Sequence, residues 1–233
     1  MLDVRDLTVT FGGVKPLDGV TLRLAAGVCG LVGPNGAGKT TFFNCVSGFV
    51  APAHGTIDGD GDRLLGLAPH RRARWGLRRT FQQEQVIHVL SAYDNVRVAA
   101  DELGAGDEGV EAALAFVGLK RAERLGAALS MLERRLVEIA KTVVGRPRIV
   151  MLDEPGAGLA DAETDRLVEL IRQIPERFEA QVILVDHDME LVSAVCEETA
   201  VLDFGKLIAL GPTADVLRDD RVRRAYLGTE EVL

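Results

Sequence analysis

Three glycines, a lysine and two threonines at fixed spacing carry the first chemistry in this 233-residue chain: Gly33-Pro34-Asn35-Gly36-Ala37-Gly38-Lys39-Thr40-Thr41. The glycines let the backbone turn so that successive N–H groups point inward, an arrangement suited to phosphate oxygens. Lys39 supplies a mobile positive charge for the outer phosphates, and the Thr40 hydroxyl is a candidate Mg²⁺ ligand. The stretch follows an apolar run, Val28 to Val32, and leads into Thr41 to Val46, which opens a helix. Strand, glycine loop, Gly-Lys-Thr and helix together lift this P-loop above an ordinary glycine-rich turn. The helix adds unpaired N–H groups and the positive end of its dipole. The chain is expected to bind a nucleoside triphosphate.

A second constellation lies far downstream. The apolar run Ile149-Val150-Met151-Leu152 ends in Asp153-Glu154. In a parallel sheet, carboxylates at the C-terminal ends of strands face the ligand crevice. Asp153 is placed to hold Mg²⁺, directly or through water, and Glu154 to polarise an attacking water as general base. His187 follows the apolar strand Val182 to Val185 and points to the γ-phosphate end. Gln82, in Arg79-Thr80-Phe81-Gln82-Gln83, can touch both metal and water, and Gln83 competes for that role.

These groups need a scaffold, and the hydrophobic pattern supplies one. Leu2, Val4, Leu7 and Val9 alternate with polar residues, as does Val20 to Leu24, so both read as strands of a peripheral sheet. Thr56 to Gly59 reads as a further short strand before a turn-rich run. From Ala68 to about Val144 helical spacing takes over, with Ala92–Ala100, Val110–Val117 and Met131–Val144 as helices. The apolar strands alternate with helices (Asp161 to Ile174 among them), which predicts a parallel sheet covered on both faces. The tail offers strands at Thr199–Phe204 and Lys206–Leu210, then helices at Thr213–Leu217 and Arg221–Leu227. The expected fold is an α/β P-loop NTPase. Its core spans 1–81 and 146–233, with a peripheral antiparallel β portion, and a helical subdomain occupies 82–145.

Composition narrows the function. An apolar content of 47% supports a substantial core, and a net charge of −8 argues against nucleic-acid binding by general basicity, although His70-Arg71-Arg72-Ala73-Arg74 is locally basic. No apolar run approaches the ~20 residues of a membrane helix. Cys29, Cys45 and Cys196 sit in apolar stretches without metal-ligand spacing and read as buried thiols of a reducing compartment. A cytoplasmic protein, able to dock on a membrane partner, is expected.

Taken together, Gly33 to Thr41, Gln82, Asp153-Glu154-Pro155 and His187 resemble the nucleotide-binding subunit of an ABC transporter, in order and spacing and over essentially the whole chain. The resemblance implies an ATPase that dimerises head to tail, with ATP between one subunit's P-loop and the other's signature helix. It implies that Phe11 stacks on adenine and that the helical lobe receives a membrane permease at the inner face of the membrane. Gly76-Leu77-Arg78-Arg79-Thr80-Phe81-Gln82, Val185 to Met189 and the tail Ala225-Tyr226-Leu227-Gly228 look like branched-chain amino-acid importers, an appearance shared with urea and amide importers. Ala100 to Gly118 looks shorter than that subfamily's usual lobe. A soluble or regulatory ABC-type ATPase is the alternative. Soluble members usually carry long insertions or tandem cassettes, for which 233 residues leave no room.

The chain departs from the family pattern in one functional group. Where the signature has Leu-Ser-Gly-Gly-Gln, or Leu-Ser-Tyr-Gly-Gln in this subfamily, the sequence has Leu129-Ser130-Met131-Leu132-Glu133. Leu132 puts a side chain where glycine lets backbone N–H groups approach a partner's γ-phosphate. Ser130 and Glu133 fit a Ser-x-x-Glu capping box. Ala160 stands where the family usually has Asp or Asn, another position that acts across the dimer interface. The elements serving the chain's own site are intact and those serving a partner's are weakened. An asymmetric heterodimer with a paralogous ATPase is therefore expected ahead of a homodimer.

Overall fold

Strands without a polar interruption set the centre of the molecule. In the structure, a computed structural model that describes residues 1–227, β3 (Val28–Val32), β7 (Ile149–Asp153) and β8 (Gln181–Val185) are buried at every position. They belong to a six-stranded sheet ordered β10-β9-β3-β8-β7-β6, with β6 at Leu77–Arg79, β9 at Glu198–Asp203 and β10 at Lys206–Pro212. All neighbours are parallel except β9 and β10, the hairpin around Gly205. Strand β6 is too short for a period to be visible in the sequence. It runs parallel to β7 and returns the chain to the central sheet inside the stretch where helical spacing dominates.

The second sheet, ordered β2-β1-β4-β5, is antiparallel and built from β1 (Leu2–Phe11), β2 (Val14–Leu24), β4 (His54–Gly59) and β5 (Asp62–Arg63). The apolar phase of β1 slips by one between Val4 and Leu7. A register irregularity there, with Asp6 at φ 52°, keeps both side chains facing inward.

Period-two alternation divides the core in two. Cys29, Leu31, Met151, Ile183 and Val185 pack with the antiparallel sheet and with Phe42 and Phe43 of α1 (Lys39–Ser47). The alternate residues Val28, Val150, Leu152, Val182 and Leu184 pack on the opposite side with α5 (Met131–Val143), α6 (Asp161–Phe178) and α7 (Met189–Val195). This second cluster continues into α3 (Ala92–Leu103) and α4 (Gly106–Val117), which pack on each other and on α5. The Gly104-Ala105-Gly106 run separates α3 from α4 as the sequence suggests.

Helix α2 (Pro69–Trp75) precedes β6 and opens with proline at its first turn. Its Arg72 is buried and donates to the carbonyls of Cys45 (2.7 Å) and Val46 (2.6 Å), at the C-terminal end of α1. The basic run at 70–74 is thus in part a helix-end clasp. Helix α6 continues past Ile174 through Pro175 to Phe178. A proline removes one helical bond. The burial of Leu167, Leu170, Ile171 and Ile174, and the edge-on packing of Phe178 on Phe116 at 4.9 Å, hold that last turn in place. Two short helices, α8 (Thr213–Val216) and α9 (Asp220–Leu227), end the described chain, and Gly228 of the tail motif lies outside it. No helix among the described residues is long and apolar enough to cross a membrane.

Candidate active site

Adjacent strands β3, β8 and β7 each deliver one component of the site at their C-terminal ends. The loop after β3 is Gly33 to Gly38. Gly33 takes φ 151°, and a Cβ there would lie 2.1 Å from the Leu202 carbonyl oxygen. Gly38, at φ 105°, would place a Cβ 2.4 Å from the Pro16 carbonyl oxygen. Both positions exclude side chains by close backbone approach as well as by conformation. Lys39 is buried, and its Nζ donates to the carbonyls of Gly33 (2.5 Å) and Pro34 (3.0 Å). Burial pulls its pKa down, opposed by Glu154 and Asp153. Gly38 caps α1 without a side-chain acceptor, and the first turn carries no acid.

A cavity of about 310 Å³ lies over this loop, lined by Asn35 to Thr41, Pro16, Gln82, Glu154 and His187. Glu154 follows β7 at φ 48°, and its N–H bonds the Val185 carbonyl on β8 at 2.7 Å. That left-handed turn aims the carboxylate across the sheet end. There Oε1 meets His187 Nε2 at 2.8 Å, while Oε2 accepts from Gln82 Nε2 at 3.4 Å. Of the two glutamines, Gln82 is the one whose side chain reaches Glu154. Gln83 is exposed, and its carbonyl accepts from the side chain of Gln85.

Asp153 sits one residue deeper. Its N–H donates to Thr80 Oγ1 at 2.9 Å, and its carboxylate pairs with Arg79 at 2.9 Å with both side chains all but buried. Burial pushes the Asp153 carboxyl up, against the pull of Arg79. Arg79 also donates to Asn44 Oδ1 and Ser47 Oγ on α1, and its guanidinium lies 4.7 Å from the Phe81 ring centre. Arg79, Thr80 and Gln82 contact the acidic pair, and residues 77–81 also line a separate cavity beside it. The role of Arg79 is not legible in the sequence, because it depends on β6 pairing beside β7.

Asp186 is another such residue. Buried at the end of β8, it accepts from the N–H groups of Gly156 (3.2 Å) and Asp188 (3.0 Å), tying the His187 turn to the loop after Glu154. Tyr226 of α9 lies against the Gly33 backbone, and burial pushes its hydroxyl up to about 12. The three cysteines are buried, and burial raises Cys29 and Cys196 to about 12 and Cys45 to about 11, so they behave as inert core thiols.

Other expected residues stand apart from this cavity. Phe11 is 55% exposed beside the β1–β2 turn and is not among the cavity-lining residues. The segment 129–133 does not line the cavity either. Ser130 caps α5: its Oγ accepts from Glu133 N–H at 3.2 Å, and Glu133 Oε2 accepts from Ser130 N–H at 2.7 Å. The capping box read from the sequence is present, and Arg124 holds the other Glu133 oxygen at 2.6 Å. Leu132 packs against the core, whereas Met131 is exposed beside Gly158. Ala160 caps α6 without an acceptor, so only Glu163 contributes there, taking the Ala160 N–H at 3.1 Å.

The ABC transporter family profile matches residues 17–157, and that of the branched-chain amino acid ATP-binding cassette transporters matches 206–232. The chain is 37% identical to the high-affinity branched-chain amino acid transport ATP-binding protein BraF of Pseudomonas aeruginosa, covering 98% of each. It is 34% identical to the lipopolysaccharide export system ATP-binding protein LptB of Escherichia coli, again over 98% of each. Among solved structures, the ADP conformation of MJ1267, an ATP-binding cassette of an ABC transporter, superposes with a TM-score of 0.87 at 25% identity, covering 98% of both chains. With a P-loop, paired carboxylates and a histidine converging at the ends of three neighbouring strands, the chain belongs to the ABC transporter family as one of its ATP-hydrolysing, ATP-binding cassettes.

Proposed function

We propose that this chain powers an importer of branched-chain or other hydrophobic amino acids, or of a related small solute such as urea or an amide. It would work as a cytoplasmic ATPase docked on permease subunits at the inner face of the membrane. The match of residues 206–232 to the branched-chain class supports the substrate assignment, beside the identity to BraF. The observation that carries the enzymatic reading is the Gln82–Glu154–His187 cluster, joined at 3.4 and 2.8 Å over the P-loop cavity.

In this reading the N–H groups of Gly33, Asn35, Gly36, Ala37 and Gly38, on a loop whose turn Pro34 helps to fix, hold the ATP phosphates with Lys39, Thr40 and Thr41, and Phe11 stacks on adenine. Glu154 takes the proton of the attacking water. His187, held on that carboxylate, contacts the γ-phosphate, and Gln82 touches both the metal and the attacking water. Thr40, Gln82 and Asp153 offer hard oxygen donors of the kind Mg²⁺ takes, few in number because phosphates and waters complete its shell. Thr40 and Gln82 share the cavity wall, while Asp153 lies behind it with one oxygen on Arg79, which suits contact through water. When bound, Mg²⁺ would supply positive charge that offsets the negative charge of the phosphates.

The core would comprise 1–81 and 146–233, and the helical subdomain 82–145 would face the permease. Ser130, Met131, Leu132 and Glu133 would contact ATP held by a second ATPase subunit. The closed capping box and the bulk of Leu132 favour a paralogous heterodimer, with nucleic acid playing no part. Reconstitution with permease subunits in liposomes tests this: ATP-driven leucine uptake is expected, and uptake indifferent to ATP would refute it. A purified homodimer turning over ATP as fast as the full complex would remove the asymmetric assembly.

A further inference from the structure

The hydrolytic cluster leaves Arg79 without a role, although its guanidinium is held from several sides. It donates to Asp153 Oδ2 at 2.9 Å, to Asn44 Oδ1 at 2.7 Å, to Ser47 Oγ at 2.9 Å and to the Thr80 carbonyl at 3.2 Å. Its guanidinium carbon lies 5.5 Å from the Phe43 ring centre and 4.7 Å from that of Phe81. Anchors on α1 and β6 therefore fix the cation independently of Asp153. Only 6% of the Arg79 side chain and 4% of the Asp153 side chain are exposed, so bulk water screens the pair little. A guanidinium keeps its charge in such a place, and a buried pair holds when its members are further hydrogen-bonded.

The surroundings of Asp153 are already balanced in charge. Asp153 and Glu154 bring two negative charges. Arg79 brings one positive charge, and Lys39, on which both carboxylates act, brings another. Lys39 is itself kept in place by the carbonyls of Gly33 and Pro34. A divalent ion arriving by itself would add two positive charges to a balanced site and would find one Asp153 oxygen taken. Arriving with the phosphates of a nucleotide, it brings its own counter-charge and most of its ligands.

We infer that Arg79 is a positioning residue that holds one oxygen of Asp153 and matches its charge, so that the site takes a divalent cation only together with a nucleotide. The inference rests on the reading of Asp153 as a metal-facing carboxylate and adds the residue that governs it. With Oδ2 on a fixed guanidinium, Asp153 has no second oxygen to chelate a metal, which leaves water at that position of the metal's shell. The same contact keeps Asp153 and Glu154 from trapping a stray cation between them before ATP arrives. Arg79→Lys would keep the charge but not the planar fork that reaches Asn44, Ser47 and Asp153 at once.

The test titrates the full chain with Mn²⁺ and reads free Mn²⁺ by its electron paramagnetic resonance signal. Wild type is expected to bind Mn²⁺ at least about tenfold more weakly without nucleotide than with a non-hydrolysable ATP analogue. Arg79→Gln removes the charge and should tighten Mn²⁺ binding to the nucleotide-free chain by about tenfold or more, while Arg79→Lys should stay within about threefold of wild type. The double variant R79Q/D153N should lose that gain. N44A/S47A, which cuts the anchors on α1 and keeps the charge, should show a smaller gain of the same sign, and it decides the matter if R79Q does not fold. Wild type that bound Mn²⁺ equally well with and without the analogue would overturn the inference. So would a folded R79Q no tighter than wild type, an equal gain in R79K, or a gain that survived D153N. If Asp153→Asn by itself left Mn²⁺ binding in the presence of the analogue unchanged, the metal-facing reading of Asp153 would fall first, whatever R79Q showed.

Discussion

Helices α1 and α5 both begin beside a sequence motif read as phosphate-binding, yet their N-termini are in opposite states. At α1, Gly38 caps without a side chain, the first turn has no acid, and the loop before it curls through glycines. Its leading N–H groups are left for an external anion. At α5, Ser130 and Glu133 satisfy each other's backbone N–H groups, Arg124 pins the glutamate, and the half-buried Leu132 packs against the core. That helix start is closed by its own side chains. A helix N-terminus becomes an anion site when its first donors are left unpaired. The difference separates the half-site this chain builds for itself from the half-site it would lend to a neighbour.

Four perturbations break or sharpen that contrast. Removing the base comes first: Glu154→Gln should lower ATP turnover by about 10²-fold or more while ATP still binds, as read by steady-state hydrolysis and by nucleotide binding. If turnover survived, the cluster at the P-loop would not be the hydrolytic half. His187→Ala leaves Glu154 held by Gln82 alone, across 3.4 Å, and should slow hydrolysis by roughly 10-fold to 10²-fold, with the affinity for ATP little changed. Leu132→Gly removes the side-chain bulk at the α5 start while leaving the capping box in place. It should cost about 2 kcal/mol in denaturant unfolding through lost packing and added helix entropy. Turnover by a homodimer of the variant should nevertheless rise severalfold. A homodimer no more active than wild type would show that the leucine does not limit the second half-site. The smallest effect belongs to Glu133→Ala, which removes half of the capping box and a partly exposed ion pair. It should destabilise by about 1 kcal/mol, whereas Glu133→Gln, which keeps a back-bonding group, should stay near neutral.

Much of this site was legible in the sequence because its parts are local. Lys39 and Thr40 sit on a loop whose glycines announce its conformation, and Asp153-Glu154 close an apolar strand whose end must face the crevice. The capping box at Ser130–Glu133 is also a local pattern, with both partners within one turn. Arg79, Thr80 and Asp186 escaped notice because their partners lie 74, 73 and 30 residues away in the chain. The choice between Gln82 and Gln83 is of the same kind, since adjacent glutamines differ only in which of them reaches Glu154. Strand β6 and the last turn of α6 escaped for different reasons. Three residues show no period, and Pro175 signals an end that packing of Phe178 overrides.

By itself the sequence determined the P-loop, the paired acids, the apolar strands and the closed helix start, each fixed by backbone conformation or by neighbours within one turn. Only the tertiary structure decided that β3, β8, β7 and β6 lie side by side. That order brings His187 and Gln82 onto one carboxylate and sets Arg79 on Asp153. Strand order is chosen by long-range burial and pairing, and no short stretch of chain carries that choice.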